Sequence, residues 1–217
     1  MTLLQRIGRA VLEGLGALGR GFYVLCGIVC SLNLSWKLRR QILEQKHVMV
    51  IGSLPLVITT AAFTGAITAV QTGYQMEAYV PMIFLGTVIT KSVILEMGPV
   101  LAALVVGSRL SANYAAELGT MKVTEQLDAM EIMAIDPVQD LGIPRFVAAV
   151  LMMPVITAIA DFVAIIGGLL VSVMTLDVTP QTFGEGMRLF WEIGDVVTGL
   201  GKTFFFGGII AMSGIFN

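Results

Sequence analysis

The carboxylate of Glu96 lies within a long apolar stretch of the sequence. Glu96 interrupts an apolar run and is followed by Pro99, which lacks a backbone donor and would kink a helix. An ionisable residue inside a membrane segment costs several kcal/mol, and such residues usually face a cavity or a partner. Lys91, five residues earlier, is a candidate ion-pair partner. We therefore predict that Glu96, Lys91 and Pro99 line a substrate cavity; the alternative is that Glu96 lies near an interface and is merely solvated.

A second carboxylate, Asp161, lies near the middle of another apolar run. Position alone makes it a functional-site candidate. We favour a packing role, in which Asp161 hydrogen-bonds to a Ser or Thr of a neighbouring helix. Gly167 and Gly168, two turns further on, are expected to allow close helix packing.

Other kinds of chemistry find no support in the sequence. His47 is the only histidine, and the two cysteines, Cys26 and Cys30, are distant from it, which leaves neither a Ser-His-Asp set nor a group of metal ligands. The stretch 199–203 ends like a P-loop, but the pattern requires glycine where Val196 stands. We predict no catalytic residue, no metal and no cofactor in this chain.

The composition indicates which elements must position these residues. The 217 residues are 56% hydrophobic and 13% charged, whereas soluble domains carry about 25% charged residues. The mean hydropathy is +0.88. The net charge of −2 gives no reason to expect a nucleic-acid partner. We predict an all-α, polytopic membrane bundle formed by a single domain, residues 1–217.

Spans and loops follow from the apolar segments, since a bilayer span needs about 20 mostly apolar residues. Residues 1–36 are predicted to form interfacial or re-entrant helices, because basic residues interrupt the first half and the second half is short. The basic run 37–46 and the loop 121–145 are expected on the cytoplasmic side, and 71–80 and 177–202 outside. The predicted spans are 48–70, 81–116, 146–174 and 203–217. The last is too short for a full span, so we expect the chain to be a fragment of a longer protein.

Small residues recur at four-residue spacing after Pro99 and predict a ridge where another helix approaches closely. They are Ala103, Gly107, Ser111, Ala115 and Gly119.

The stretch 117–137 differs from the spans around it, because it combines an apolar stripe with several charges and ends at Asp136-Pro137. We predict a short amphipathic helix on the cytoplasmic side, where a membrane domain would contact a soluble motor. The residues assigned to this contact are Glu117, Lys122, Glu125, Leu127, Asp128, Met130 and Glu131.

These motifs together resemble one family. The sequence Glu96-Met97-Gly98-Pro99, the small-residue helix with Arg109, and the stretch from Ala116 to Pro137 are similar to the MlaE/YrbE family of ABC-transporter permeases. The resemblance continues through Pro144-Arg145 and Ala160-Asp161 to Gly167-Gly168, and covers the chain from about Lys46 onward. Two features depart from it: a further loop and span expected after residue 217 are missing, and Leu95 stands where some members have a basic residue.

The resemblance implies a permease subunit that works as a homodimer in the bacterial inner membrane. It implies a cytoplasmic ATPase, which binds ATP and contacts the helix at 117–137, an MCE-domain periplasmic partner and a small STAS-domain regulator. It also implies phospholipid as cargo and places Glu96 in the lipid-binding cavity. The sequence leaves three alternatives open: an importer of another lipid or a sterol in the same family, a proton-coupled carrier relaying protons through Glu96 and Asp161, and a membrane scaffold.

Overall fold

The computed structural model describes residues 38–76 and 79–216, together with the isolated positions 12, 19 and 27. The interfacial or re-entrant segment predicted for 1–36 lies outside the two described ranges. The helices are α1 (Arg39–Met76), α2 (Phe84–Ser92), α3 (Gly98–Val123), α4 (Gln126–Ile132), α5 (Ile143–Thr175), α6 (Pro180–Leu189) and α7 (Ile193–Phe216). Wide π turns at Val93–Met97 and Val138–Gly142 join α2 to α3 and lead into α5.

Four helical stretches in the described ranges are long and apolar enough to cross a membrane. They are Arg39–Met76, Phe84–Val123, Gln139–Thr175 and Ile193–Gly214. No strand occurs in these ranges. The predicted all-α membrane bundle is therefore confirmed.

The core of the bundle is the contact between α1 and α5, and α7 packs on both α5 and α3. The short helix α6 lies against α2. Along α1, every fourth residue from Met49 to Gly73 is buried, and most of them are small: Met49, Ser53, Val57, Ala61, Gly65, Ala69 and Gly73. Each four-residue step passes a full turn by about 40°, so the stripe winds slowly around α1 as one continuous row of buried residues.

Glycines bring the two backbones together at the seam between α1 and α5. A methyl group on Gly65 would lie 1.8 Å from the Ala164 carbonyl oxygen, and one on Gly167 would lie 2.5 Å from the Ala62 carbonyl oxygen. On Gly168 it would meet Ile89 at 3.1 Å. Gly167 thus lies where the helices approach too closely for a side chain, and a methyl on Gly168 would require Ile89 to shift slightly.

The predicted ridge on α3 contacts α7 along only part of its length. Gly107 lies against Ile210, where an added methyl would be 3.1 Å away, and the Ser111 hydroxyl is 2.9 Å from that of Ser213. Ala103 and Ala115 are half-buried. Gly119 is exposed and has open space where a side chain would stand, because α3 extends there beyond the packed bundle.

The amphipathic segment is divided between two helices. The sequence predicted one helix over 117–137, but residues 117–123 continue α3, and Glu125, with φ of 58°, reverses the chain before α4. Helix α4 ends in a second left-handed residue, Ala134, whose N–H donates to the Glu131 carbonyl. The N–H of Ile135 donates to the Met130 carbonyl, which completes a Schellman motif.

The last span begins earlier than the sequence predicted. We expected 203–217, whereas α7 starts at Ile193. Asp195 in its first turn and Lys202 made the segment look like a loop, yet both lie on this helix. The P-loop-like stretch 199–203 is therefore helical.

Candidate functional site

Glu96 forms an ion pair with Lys202, a residue that the sequence predicts to lie in a loop. Lys202 Nζ on α7 lies 3.2 Å from Glu96 Oε1. The same ammonium donates a second hydrogen bond, 3.0 Å long, to the carbonyl oxygen of Leu95. The ion pair thus joins the π turn before α3 to the last described span.

Pro99 explains why the Leu95 carbonyl is free to accept this bond. In a regular helix the N–H of residue 99 would donate to the carbonyl four residues earlier, and proline has no N–H. The π turn shifts the ladder by one residue, so that the Gly98 N–H reaches the carbonyl of Val93. On α7, Gly199 lies beside the Ile94 carbonyl, and an added methyl would be 2.2 Å from that oxygen. The turn therefore presents backbone oxygen to α7.

Lys91 pairs with Asp195, whereas the sequence suggested Glu96 as its partner. Its Nζ lies 3.0 Å from Oδ2 of Asp195, so the suggested pairing of Lys91 with Glu96 does not occur. Asp195 is in the first turn of α7, where the helix dipole favours a negative charge. Two ion pairs therefore link one edge of α7 to the segment that precedes α3. They are Lys91–Asp195 and Glu96–Lys202.

Asp161 is buried, with 7% of its surface exposed, and it lies against Gly98. A methyl on Gly98 would fall 1.6 Å from Asp161 Oδ1, so the glycine makes room for the carboxyl group. Within the described ranges, Oδ1 has no hydrogen-bond partner and no Ser or Thr hydroxyl bonds to Asp161. The expected Ser/Thr hydrogen bond is therefore absent there, and Asp161 packs directly beneath the π turn.

The Glu96–Lys202 pair is open to the outside of a single chain. The Glu96 side chain is 67% exposed and that of Lys202 is 39% exposed. Met97 and Val100 beside it are 44% and 43% exposed, so an apolar surface surrounds the charge. Pro99 itself is buried. One chain alone does not enclose Glu96.

A groove of about 520 Å³ lies elsewhere, along α1 and α5. Its lining is largely apolar and includes Ile67, Val70, Tyr74 and Val171. Glu96 does not line it. A smaller cavity of about 10 Å³ lies between α1, the π turn and α5, and is at the lower limit of the space that one water needs.

The residues assigned to a motor contact lie at one end of the bundle. On and beside α4, none of the residues is buried. Lys122, Glu125, Asp128 and Glu131 are exposed, and Leu127 and Met130 are half-buried. Three apolar side chains are exposed beside them: Val123 at 85%, Ile132 at 87% and Met133 at 63%. This end therefore presents charge around an uncovered apolar patch.

Glu117 belongs to a different cluster. Its Oε2 lies 2.8 Å from Nη2 of Arg145, whose side chain is only 2% exposed. The Arg145 guanidinium also lies 5.1 Å from the ring centroid of Tyr114, a distance suited to a cation–π interaction. The cluster fixes the start of α5 to the end of α3, beside the segment that carries α4.

The ion pairs of Lys202, Asp195 and Arg145 were not predicted from the sequence. Asp195 and Lys202 are seven residues apart, a spacing that places both on one face of a helix. That signal was available, but a span assumed to begin near residue 203 excluded it. No local pattern reveals that Arg145 pairs with Glu117, because 28 positions separate the two in sequence.

Comparison with known proteins gives consistent matches. The family model described as Permease MlaE matches residues 42–217. The chain is 36% identical to a probable ABC transporter permease of Synechocystis, over 81% of this chain and 67% of the relative. It is 38% identical to a probable ABC transporter permease of Rickettsia bellii, over 77% of this chain and 65% of the relative. The intermembrane phospholipid transport system permease protein MlaE of Haemophilus influenzae is 30% identical over 100% of this chain and 84% of its own length. The chain thus spans about two thirds of the length of the first two relatives.

Proposed function

The chain belongs to the MlaE permease family, and we propose that it is the membrane subunit of an ABC transporter that moves phospholipid between the inner and outer membranes. ATP is hydrolysed on a separate partner chain. The Haemophilus relative is named for phospholipid transport, and the Synechocystis and Rickettsia relatives are named as probable ABC permeases. The proposed location is the bacterial inner membrane.

The observation that carries this proposal is the Glu96–Lys202 pair. It is a charge pair on membrane-spanning helices, surrounded by exposed apolar side chains. A phospholipid has the same combination of a charged head and apolar chains. Because one chain leaves Glu96 open, we propose that a second copy completes the cavity, as a homodimer in which Glu96, Lys91 and Pro99 lie at or near the wall.

The exposed end at α4 supports a motor contact. An uncovered apolar patch ringed by charges has the make-up of an interface, with an apolar centre and a polar rim. The acids Glu125, Asp128 and Glu131 outnumber Lys122 there, which suits a basic protein surface better than an anionic lipid face. The proposed partners are the cytoplasmic ATPase at this end, an MCE-domain protein on the periplasmic side and a small STAS-domain regulator.

The first experiment purifies the tagged protein from native membranes in mild detergent and identifies proteins and lipids by mass spectrometry. We expect stoichiometric ATPase and MCE-domain protein together with phospholipid. A homo-oligomer without an ATPase, with flux that follows a proton gradient, would establish the carrier alternative through Glu96 and Asp161. Sterol or another lipid in place of phospholipid would establish the other importer.

The second experiment measures ATP-dependent transfer of a labelled phospholipid by the reconstituted complex. We expect Glu96→Gln and Lys202→Met each to slow transfer about tenfold, since each leaves a charge without its partner. The double variant Glu96→Lys/Lys202→Glu, which exchanges the two charges, should restore part of the transfer rate. The matched control is Glu44→Gln, which breaks an exposed pair with Arg40 on α1 and should leave transfer unchanged. Normal transfer by both single variants would exclude a role for the pair.

A further inference from the structure

Arg109 lies on a membrane-spanning helix, and its guanidinium has no carboxylate partner in the part of the chain that the structure describes. Arg109 is on α3, and its Nη1 donates a 2.9 Å hydrogen bond to Oγ of Ser53 on α1. In residues 38–76 and 79–216, no acidic group lies within ion-pair distance of it. The side chain is half-buried. A cation in a membrane segment is costly unless an anion compensates it.

The notch that holds this guanidinium is built into α1. A methyl on Gly52 would lie 2.0 Å from Arg109 Nη2 and 2.5 Å from Cζ, so the planar group lies across the backbone where a side chain is missing. Ser53, fully buried, orients one edge of the group. The notch thus holds the Arg109 guanidinium in place. Of the five N–H donors of this group, only one is used by the hydrogen bond to Ser53.

The surroundings of the notch are apolar and open. Val48 and Leu56, one turn on either side of Gly52 along α1, are 47% and 46% exposed. The basic run 37–46 lies at the same end of α1, so this is the end at which a bilayer would bring anionic headgroups closest.

We propose that Arg109, held in place by the buried Ser53, binds the phosphate of a lipid headgroup at the basic end of the bundle, with a lipid chain along Leu56. A guanidinium matches a phosphate in two-point geometry. The site requires only that the chain spans a membrane, and is independent of the transport proposal. It is also separate from the Glu96–Lys202 pair, 13 residues away along the chain at Glu96.

The test is native mass spectrometry of the delipidated, full-length protein titrated with phosphatidylglycerol in detergent. We expect Arg109→Gln to weaken the apparent affinity of the tightest lipid about tenfold, the value of one lost charge-assisted contact. The matched control is Arg39→Gln, which removes an exposed cation at the same end and should leave that affinity unchanged. Equal binding by the wild type and Arg109→Gln would overturn the proposal.

Three further outcomes would also overturn it. Inorganic phosphate that competes with the lipid at equal concentration would identify a site for the free ion. A loss of dimer in Arg109→Gln with an unchanged lipid count would show that a second copy covers the notch. A loss of thermal stability in Arg109→Gln with lipid binding unchanged would show that the guanidinium only joins α3 to α1 through Ser53.

A second variant covers the case in which Arg109→Gln does not fold. Arg109→Lys keeps the charge but loses the planar fork. We expect it to fold and to bind phosphatidylglycerol several-fold more weakly than the wild type. Wild-type affinity in Arg109→Lys would overturn the assignment of two-point recognition.

Discussion

At the residue scale, the Arg145–Glu117 pair shows that two partners of one contact can differ in their importance. Arg145 is 2% exposed, while Glu117 is 46% exposed. Removal of Glu117 leaves a buried cation with no counter-charge, whereas removal of Arg145 leaves a carboxylate that water can reach. Stranding a buried charge is the more costly of these two changes.

We therefore expect Glu117→Ala to destabilise the protein more than Arg145→Met does. The loss for Glu117→Ala should be about 3 kcal/mol. Thermal unfolding of the purified variants in one detergent would measure the order of the two. The double variant should resemble Arg145→Met, because it no longer contains the stranded charge. An order reversed between the two single variants would mean that the Tyr114 ring, and not Glu117, stabilises the guanidinium.

At the element scale, the seam between α1 and α5 depends on glycine at particular positions. Gly65→Ala places a methyl 1.8 Å from the Ala164 carbonyl oxygen, so the helices must move apart. We expect a loss of about 1–3 kcal/mol in stability, the usual cost of overpacking. The matched control is Gly119→Ala on α3, which meets open space and should be neutral or slightly stabilising, because alanine favours helix. Both are measured by thermal unfolding, and equal stability of Gly65→Ala and Gly119→Ala would mean that the seam accepts a side chain at position 65.

The same seam shows what the sequence could predict about the elements and what it could not. Apolar length was enough to predict four spans, and four-residue spacing was enough to find one small-residue ridge. The ridge chosen on α3 ends at an exposed Gly119, while the longer stripe on α1, including Ala61 and Gly65, was not recognised. Spacing identifies a surface that can pack closely, but only the three-dimensional arrangement decides which helix packs on it.

The ion pairs of the candidate site were likewise predictable only in part. Glu96 was identified from the sequence because an ionisable side chain in an apolar segment is energetically costly. Its partner Lys202 is 106 residues away, and the lysine nearer in sequence, Lys91, pairs with Asp195 instead. Contacts between distant segments depend on how the helices are arranged, and a single sequence does not carry that arrangement.

At the scale of the whole molecule, the spans are longer than a bilayer is thick. Helix α1 has 38 residues, which corresponds to about 57 Å, against a hydrocarbon core of about 30 Å. The stretch Phe84–Val123 is similar, with 40 residues. Spans of this length extend beyond the hydrocarbon core unless they are strongly tilted.

The orientation follows from charge and can be tested by labelling. With Cys26 and Cys30 replaced by serine, single cysteines at Tyr79 and Ile132 would occupy exposed positions, since these residues are 89% and 87% exposed. By the positive-inside rule, we expect a membrane-impermeant thiol reagent to reach position 79 in intact spheroplasts and position 132 only after lysis. The opposite pattern would invert the topology and with it the proposed side of the ATPase.

The π turn at Val93–Met97 has a consequence for how relatives of this chain can be aligned and redesigned. A π turn amounts to one residue more than a regular helix needs over the same path. Deleting one residue there would restore an unbroken helix and rotate everything after it by about 100° relative to everything before it. The face of α3 that meets α7 would then turn away from it, and Glu96 would no longer point toward Lys202. An alignment gap placed within these five positions therefore implies a structural change, because it alters which side of a whole helix faces the protein.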